Sequence, residues 1–217
     1  MTIYHILVAL GLFFTVIISA SIITSLVARV KRFKRELFYG VIMQFSMLAV
    51  SLVLAHIATG NIGVIGGFYI PLLGLTDTLI IAVVLGLIII FSLVTSKIVK
   101  EAKPPIELNS LWEFLLLALF VAPVCEEIVF RGLVEGYLIY VKTSIYVAVA
   151  LPAVLFSIIH VAPYRKSSKP HMVIVVTLAL VIGVLAGYYR AVTGSILIAM
   201  IIHAVSNTPG IKYFVKQ

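Results

Sequence analysis

Long apolar stretches separated by short polar ones organise this chain. A membrane-crossing helix needs about 20 mostly apolar residues. The pattern predicts such spans at Thr2–Ala28, Leu37–Ile57, Thr78–Ser96, Leu111 to about Tyr140, Ser144–His160, His171–Tyr189 and Ser195–Ser206. The fourth is long enough to be tilted, or kinked near Pro123. The seventh is short and ends at Pro209. The first is too long and too poorly cleavable for a secretory signal, and reads as a retained transmembrane helix. Thr59–Asp77 is apolar but rich in glycine, with one proline. Such a stretch is a poor helix former, so it predicts an interfacial or re-entrant loop. A short helix there would make an eighth. Lys97–Ser110 is a polar connector, and Asn109 or Ser110 is placed to cap the next helix, with Glu113 at N3 if Ser110 is the cap. The expected fold is all-α: a polytopic membrane helix bundle of about seven transmembrane helices, forming a single domain over residues 1–217.

Composition sharpens this picture. The chain is 63% hydrophobic and only 11% charged, against about half and a quarter in soluble domains. Nearly all of it is membrane, and a second soluble domain has no room. The net charge of +8 does not require a nucleic-acid partner, because basic cytoplasmic loops give the same excess. With the N-terminus outside and the C-terminus in the cytoplasm, the inner loops hold all the Lys and Arg residues except Arg131, Lys142 and Arg190. Lys142 and Arg190 then lie outside, and Arg131 lies within the membrane. The lone cysteine, Cys125, excludes an intrachain disulfide and a CxxC site and reads as a small buried hydrophobe.

The fourth span carries the chemistry. Glu126 and Glu127 sit side by side near its centre, and Arg131 follows. Ionisable groups at bilayer depth are costly and face a bundle interior or a water-filled cavity. Glu127 and Arg131 are four apart and share a helix face. Arg131 therefore neutralises Glu127 and fixes the helix against its neighbours. Glu126 points about 100° away and is left free to face a site, where a buried carboxylate suits general acid–base work. His160 ends the fifth span, with Phe156 four residues earlier. His203 lies in the seventh, with Asn207 four residues later. Imidazole serves as a base near neutral pH, and an Asn amide can donate to a developing oxyanion. Alone, each group has a structural reading: a helix–helix hydrogen bond for a histidine, a helix stop for Asn207, core for Phe156. His5, His56 and His171, at helix ends, keep that reading. The joint spacing on three spans lifts Glu126, His160, His203 and Asn207 out of it. Together they could activate water, with or without a metal, and stabilise a tetrahedral intermediate.

EExxxR at Glu126–Arg131, FxxxH at Phe156–His160 and HxxxN at His203–Asn207 occur in that order. This resembles the CPBP family of intramembrane proteases, also called the Abi or CAAX-protease family, which includes CAAX prenyl endopeptidases and bacteriocin-immunity-type proteins. The resemblance covers about residues 111–207, the expected catalytic core. It implies a helical bundle whose cavity opens to the cytosolic side or to the membrane. It implies that Glu126 activates water with help from His160, and that His203 and Asn207 stabilise the oxyanion. Glu127, Arg131 and Phe156 are then supporting residues.

Metal use stays open at this level. Glu126, His160 and His203 could supply three ligands to a catalytic zinc, yet HExxH spacing is absent, and a glutamate-based reaction needs no cofactor. The expected activity is an endopeptidase acting near the cytoplasmic face of the membrane. Its expected partners are membrane lipid and a peptide or lipid-modified protein substrate, with no nucleic acid. Two other readings compete. One is a non-catalytic scaffold or immunity-type protein retaining the motifs. The other is a proton-coupled transporter, which would spread its carboxylates along a path instead of clustering them.

Overall fold

The computed structural model describes residues 2–30, 35–98, 108–165 and 167–212. Its regular elements are all helical. In chain order, the helices are α1 (Thr2–Val30), α2 (Glu36–Thr59), α3 (Leu75–Ile98), α4 (residues 111–140), α5 (Ile145–Ile159), α6 (Lys169–Thr193) and α7 (Ile196–Asn207). These correspond one for one to the seven spans expected from hydropathy.

Four of them, α1, α2, α3 and α6, are long and apolar enough to cross a membrane. The helices α5, with 15 residues, and α7, with 12, are not. At 1.5 Å rise per residue they reach about 22 and 18 Å, short of a hydrocarbon core of about 30 Å. The expectation that both span the membrane alone is therefore corrected. Their shortness ends both helices inside the bundle, at His160 and Asn207, where polar groups gather.

The α4 run stays helical through Pro123. It absorbs the proline by widening into π turns at Leu117–Val121 and again at Ile128–Glu135, around α-helical turns Leu111–Leu116, Ala122–Glu127 and Gly136–Tyr140. Its start is capped as the sequence predicts: the Ser110 side chain accepts from the Glu113 N–H. Glu113 accepts in return from the Asn109 N–H and receives both Nη atoms of Arg35 at 2.7 Å, which ties the start of α2 to the start of α4.

The segment after α2 is a docked loop with one 3₁₀ turn, Ile62–Ile65. The short helix allowed for in this segment is that single 3₁₀ turn, and no longer helix forms there before α3. Gly67 pairs with the α6–α7 junction: its N–H donates to Gly194 O at 2.9 Å, and its carbonyl accepts from Ile196 N–H at 3.0 Å. That junction turns on Gly194 at φ 72°, a conformation that glycine adopts without strain. Tyr69 adds a hydrogen bond from its hydroxyl to Thr193 O. The loop lies so close to α4 that a Cβ on Gly136 would sit 2.2 Å from Val64 O.

One core runs through the bundle. Phe13, Phe130, Leu133, Leu138, Phe156, Tyr189, Ile196 and Ile202 are buried from five helices. The outward faces of α1 and α3 expose Phe14, Ile18, Ile22, Leu79, Val83, Leu87 and Ile90, as a lipid-facing surface requires. Of the basic loop residues used to orient the bundle, Lys31, Arg32, Lys34, Lys100, Lys103, Lys166 and Lys216 lie outside the described residues. Arg190, expected in an outer loop, is instead buried inside the bundle on α6. Glu135 on α4 faces it, with its Oε1 3.9 Å from Arg190 Nε, and Arg190 Nη2 donates to Val64 O at 2.5 Å. Counting basic residues near span ends cannot detect a buried counter-charge on another helix.

Candidate active site

Glu127 and Arg131 form a fully buried ion pair at 3.0 Å. Arg131 also donates from Nη2 to Gly183 O on α6 at 3.1 Å, and its guanidinium lies 4.6 Å from the centre of the Phe156 ring. Buried charges persist when paired and hydrogen-bonded, and this guanidinium meets a carboxylate, a carbonyl and a π face. The same carboxylate oxygen, Glu127 Oε1, takes Nδ1 of His203 at 2.8 Å. An ionised carboxylate only accepts, so the proton of that bond sits on Nδ1. His203 Nε2 is thereby turned toward Glu126, whose Oε2 lies 4.0 Å away.

Glu126 keeps a small exposure: 14% of its side chain is accessible, against none for Glu127. The adjacent carboxylates are thus divided between two tasks. Glu127 braces an arginine and a histidine, and Glu126 faces a cavity. The other oxygen of Glu126, Oε1, accepts from Gln44 Nε2 on α2 at 2.8 Å.

His160 caps the C-terminus of α5. The last turn there tightens, with His160 N–H bonding to Ser157 O at 3.2 Å. Phe156 O is left to accept from His160 Nδ1, at 2.7 Å. Because a carbonyl oxygen only accepts, a proton lies on Nδ1, and in the neutral ring Nε2 is the unprotonated nitrogen. Phe156 is the wedge between the two imidazoles, its ring 4.7 Å from that of His160 and 5.2 Å from that of His203, in edge contact with both.

Asn207, the last residue of α7, donates from Nδ2 to Ala118 O at 2.8 Å. The π turn explains why that carbonyl is open. In this register Ala122 N–H bonds to Leu117 O, five residues back. The next such bond would run from residue 123 to Ala118, and Pro123 has no N–H. Asn207 fills the gap left by the proline. The second amide proton of Asn207 remains for other use.

These groups share one cavity of about 480 Å³, lined by Gln44, Glu126, Phe156, His160, His203 and Asn207 among others. Its apolar wall includes Ile88, Leu178 and Ile182 from α3 and α6. His171, read from sequence as structural, lines it too. His5 is remote and bonds through Nδ1 to the Tyr137 hydroxyl at 3.2 Å, while the His56 carbonyl receives the cap N–H of Gly60 at the end of α2. Cys125 is buried and unpaired.

Zinc does not find a ligand set here. Among the described residues no three His, Cys, Asp or Glu side chains come together as metal ligands, so Glu126, His160 and His203 share a cavity without converging on one ion. Sequence reasoning missed Gln44 and the Glu135–Arg190 pair. A lone amide in the apolar run Leu37–Ile57 was the signal for the first. Glu135, four residues past Arg131, was the signal for the second.

No curated protein and no solved structure matches the chain. Residues 108–209, which hold Glu126, Glu127, Arg131, Phe156, His160, His203 and Asn207, match the model of the Rce1-like type II CAAX prenyl endopeptidases. Over these residues, just under half of the chain, the protein is similar to that family of membrane endopeptidases, and its long apolar helices mark it as an integral membrane protein.

Proposed function

We propose that the protein hydrolyses a peptide bond by attack of a water that Glu126 activates. The observation that carries this reading is the 4.0 Å gap between Glu126 Oε2 and His203 Nε2, in a cavity shared with His160 and Asn207. A direct N–H···O bond needs at most about 3.2 Å, whereas a water with bonds of about 2.8 Å to each partner fits this separation. Glu126 takes a proton from that water, which then attacks the scissile carbonyl carbon. His160 Nε2, unprotonated and facing the cavity, is a second acceptor that assists the transfer. Charge develops on the carbonyl oxygen. His203 carries a proton at Nδ1, held by Glu127, and stands between two carboxylates that balance its imidazolium form. In that form its Nε2–H donates to the oxyanion, joined by the second amide proton of Asn207. Glu126 or His160 then returns a proton to the leaving amine as the C–N bond breaks. No step needs a metal.

The substrate we propose is a peptide or lipid-modified protein held at the membrane, as the family description suggests. The apolar wall of Ile88, Leu178 and Ile182 suits an apolar segment beside the scissile bond. We propose that the cavity opens toward the cytoplasm, the side that the positive-inside excess of Lys and Arg favours.

Comparative peptide profiling of membranes from cells with wild-type protein and with Glu126→Gln tests the reading. The amide keeps the shape but cannot take the proton, and general-base catalysis contributes about 10²–10⁴-fold. The variant should fold and lose the peptides that wild type releases. Matching profiles would refute the assignment.

A further inference from the structure

Gln44 lies on α2, outside residues 108–209, yet it touches the reacting carboxylate. We propose that Gln44 is a positioning residue that holds Glu126 back from His203 and so keeps room for the attacking water. The inference rests on Glu126 being the base.

Glu126 Oε1 accepts from Gln44 Nε2 at 2.8 Å, and Oε2 stands 4.0 Å from His203 Nε2. A glutamate side chain is flexible, and the His203 ring is a hydrogen-bond partner within its reach. Freed from Gln44, Glu126 could close the gap to a direct hydrogen bond with His203, and the space for water would vanish. The amide suits this restraint. A lysine or arginine at the same place would bind the carboxylate as an ion pair and quench it as a base. A neutral N–H holds one oxygen in place and leaves the other reactive.

Gln44 is poorly served by its surroundings. Its carbonyl oxygen, Oε1, is buried and has no hydrogen-bond partner among the described residues. An unmet acceptor in an apolar bundle is unfavourable, and an apolar side chain would pack α2 against α4 without that cost. Stability alone does not account for a glutamine here, whereas a hydrogen bond to the base does.

The test compares Gln44→Met, Gln44→Asn, Gln44→His and Glu126→Gln in proteoliposomes. The probe is a fluorogenic peptide ending in a prenylated CAAX sequence, and thermal unfolding in detergent is followed in parallel. Methionine keeps the length and removes the donor. Asparagine keeps the amide but withdraws it by one methylene. Histidine returns an N–H at a reach close to that of glutamine. Hydrogen bonds to charged groups are worth a factor of about 10–100, so Gln44→Met and Gln44→Asn should each lose about that much in kcat with KM nearly unchanged. Gln44→His should recover most of it. The shortened amide serves where Gln44→Met fails to fold. Wild-type kcat in the folded Met or Asn variant, with Glu126→Gln inactive, overturns the role of Gln44 and leaves the base assignment standing. Equal loss in the His variant, with all proteins folded, overturns it as well, since the donor would then not matter. An active Glu126→Gln refutes the reading beneath it.

Discussion

Removing the Arg131 guanidinium is the sharpest test of how the site is held. Arg131 is fully buried and bonds to Glu127 Oε1 at 3.0 Å and to Gly183 O at 3.1 Å, with Phe156 beneath it. In Arg131→Ala, Glu127 loses its cation, Gly183 O loses a donor and the wall around Phe156 opens. Breaking a buried pair from one side costs about 3–5 kcal/mol, because the remaining charge stays unpaired. For a chain of this size that is about 6–20 °C in Tm. Glu127→Leu should cost a similar amount, since it strands Arg131. The double variant Glu127→Leu/Arg131→Met leaves no charge behind, and apolar replacements of whole pairs are often neutral or stabilising. It should therefore be more stable than either single variant. It should also be inactive, because His203 Nδ1 loses its partner Glu127. The assay is reversible unfolding in mixed micelles, with peptide cleavage measured on the same preparations. A double variant as unstable as the sum of the two singles would refute the pairing, and an active one would refute the bracing of His203.

Two further outcomes follow from backbone geometry. Gly136→Ala should destabilise the protein by about 1–3 kcal/mol, the usual cost of overpacking, and should render the Ile62–Ile65 loop protease-sensitive, because its Cβ would lie 2.2 Å from Val64 O; Gly86→Ala, with nothing within 4 Å, is the neutral control in the same unfolding assay. Asn207→Ala should lower both stability and kcat, while Pro123→Ala in that background returns an N–H for Ala118 O and should restore stability without kcat; recovery of kcat as well would reduce Asn207 to a helix tie.

The boundaries of the helices were legible because hydropathy reports directly on what lipid and core require. The pairing of Glu127 with Arg131 was legible for a local reason: a spacing of four residues on one helix needs no knowledge of the fold. Everything that depended on a second helix was harder. Arg190 looked like a loop residue because Glu135, its counter-charge, lies 55 positions away in sequence on α4. Gln44 looked like a stray amide until α2 was set against α4. The link from Asn207 to Ala118 needed the π register, which follows from Pro123 meeting the packing around it and not from either residue alone. Span length also misled in one respect. The expected runs at Ser144–His160 and Ser195–Ser206 match α5 and α7 to within a residue at each end, but helices so short do not cross a membrane alone.

That shortness is what makes hydrolysis physically reasonable in an apolar bundle. A full set of membrane-length helices would bury Glu126 from water, and the base we propose would then have nothing to activate. Here α5 stops at His160 and α7 at Asn207, and each uses its exposed end twice. The His160 ring satisfies a carbonyl freed by the tightened last turn of α5 and thereby turns Nε2 to the cavity. The Asn207 amide satisfies a carbonyl freed by Pro123 and keeps a proton to spare. Helix α4 supplies the opposite wall and does not move freely. It is tied to α2 through Glu126, to α7 through Glu127, and to α6 through Arg131 and Glu135. Electrostatic catalysis depends on dipoles that need no rearrangement when charge appears. A helix fastened on three sides by polar side chains, facing two helix ends that line the cavity, provides that rigidity next to the site.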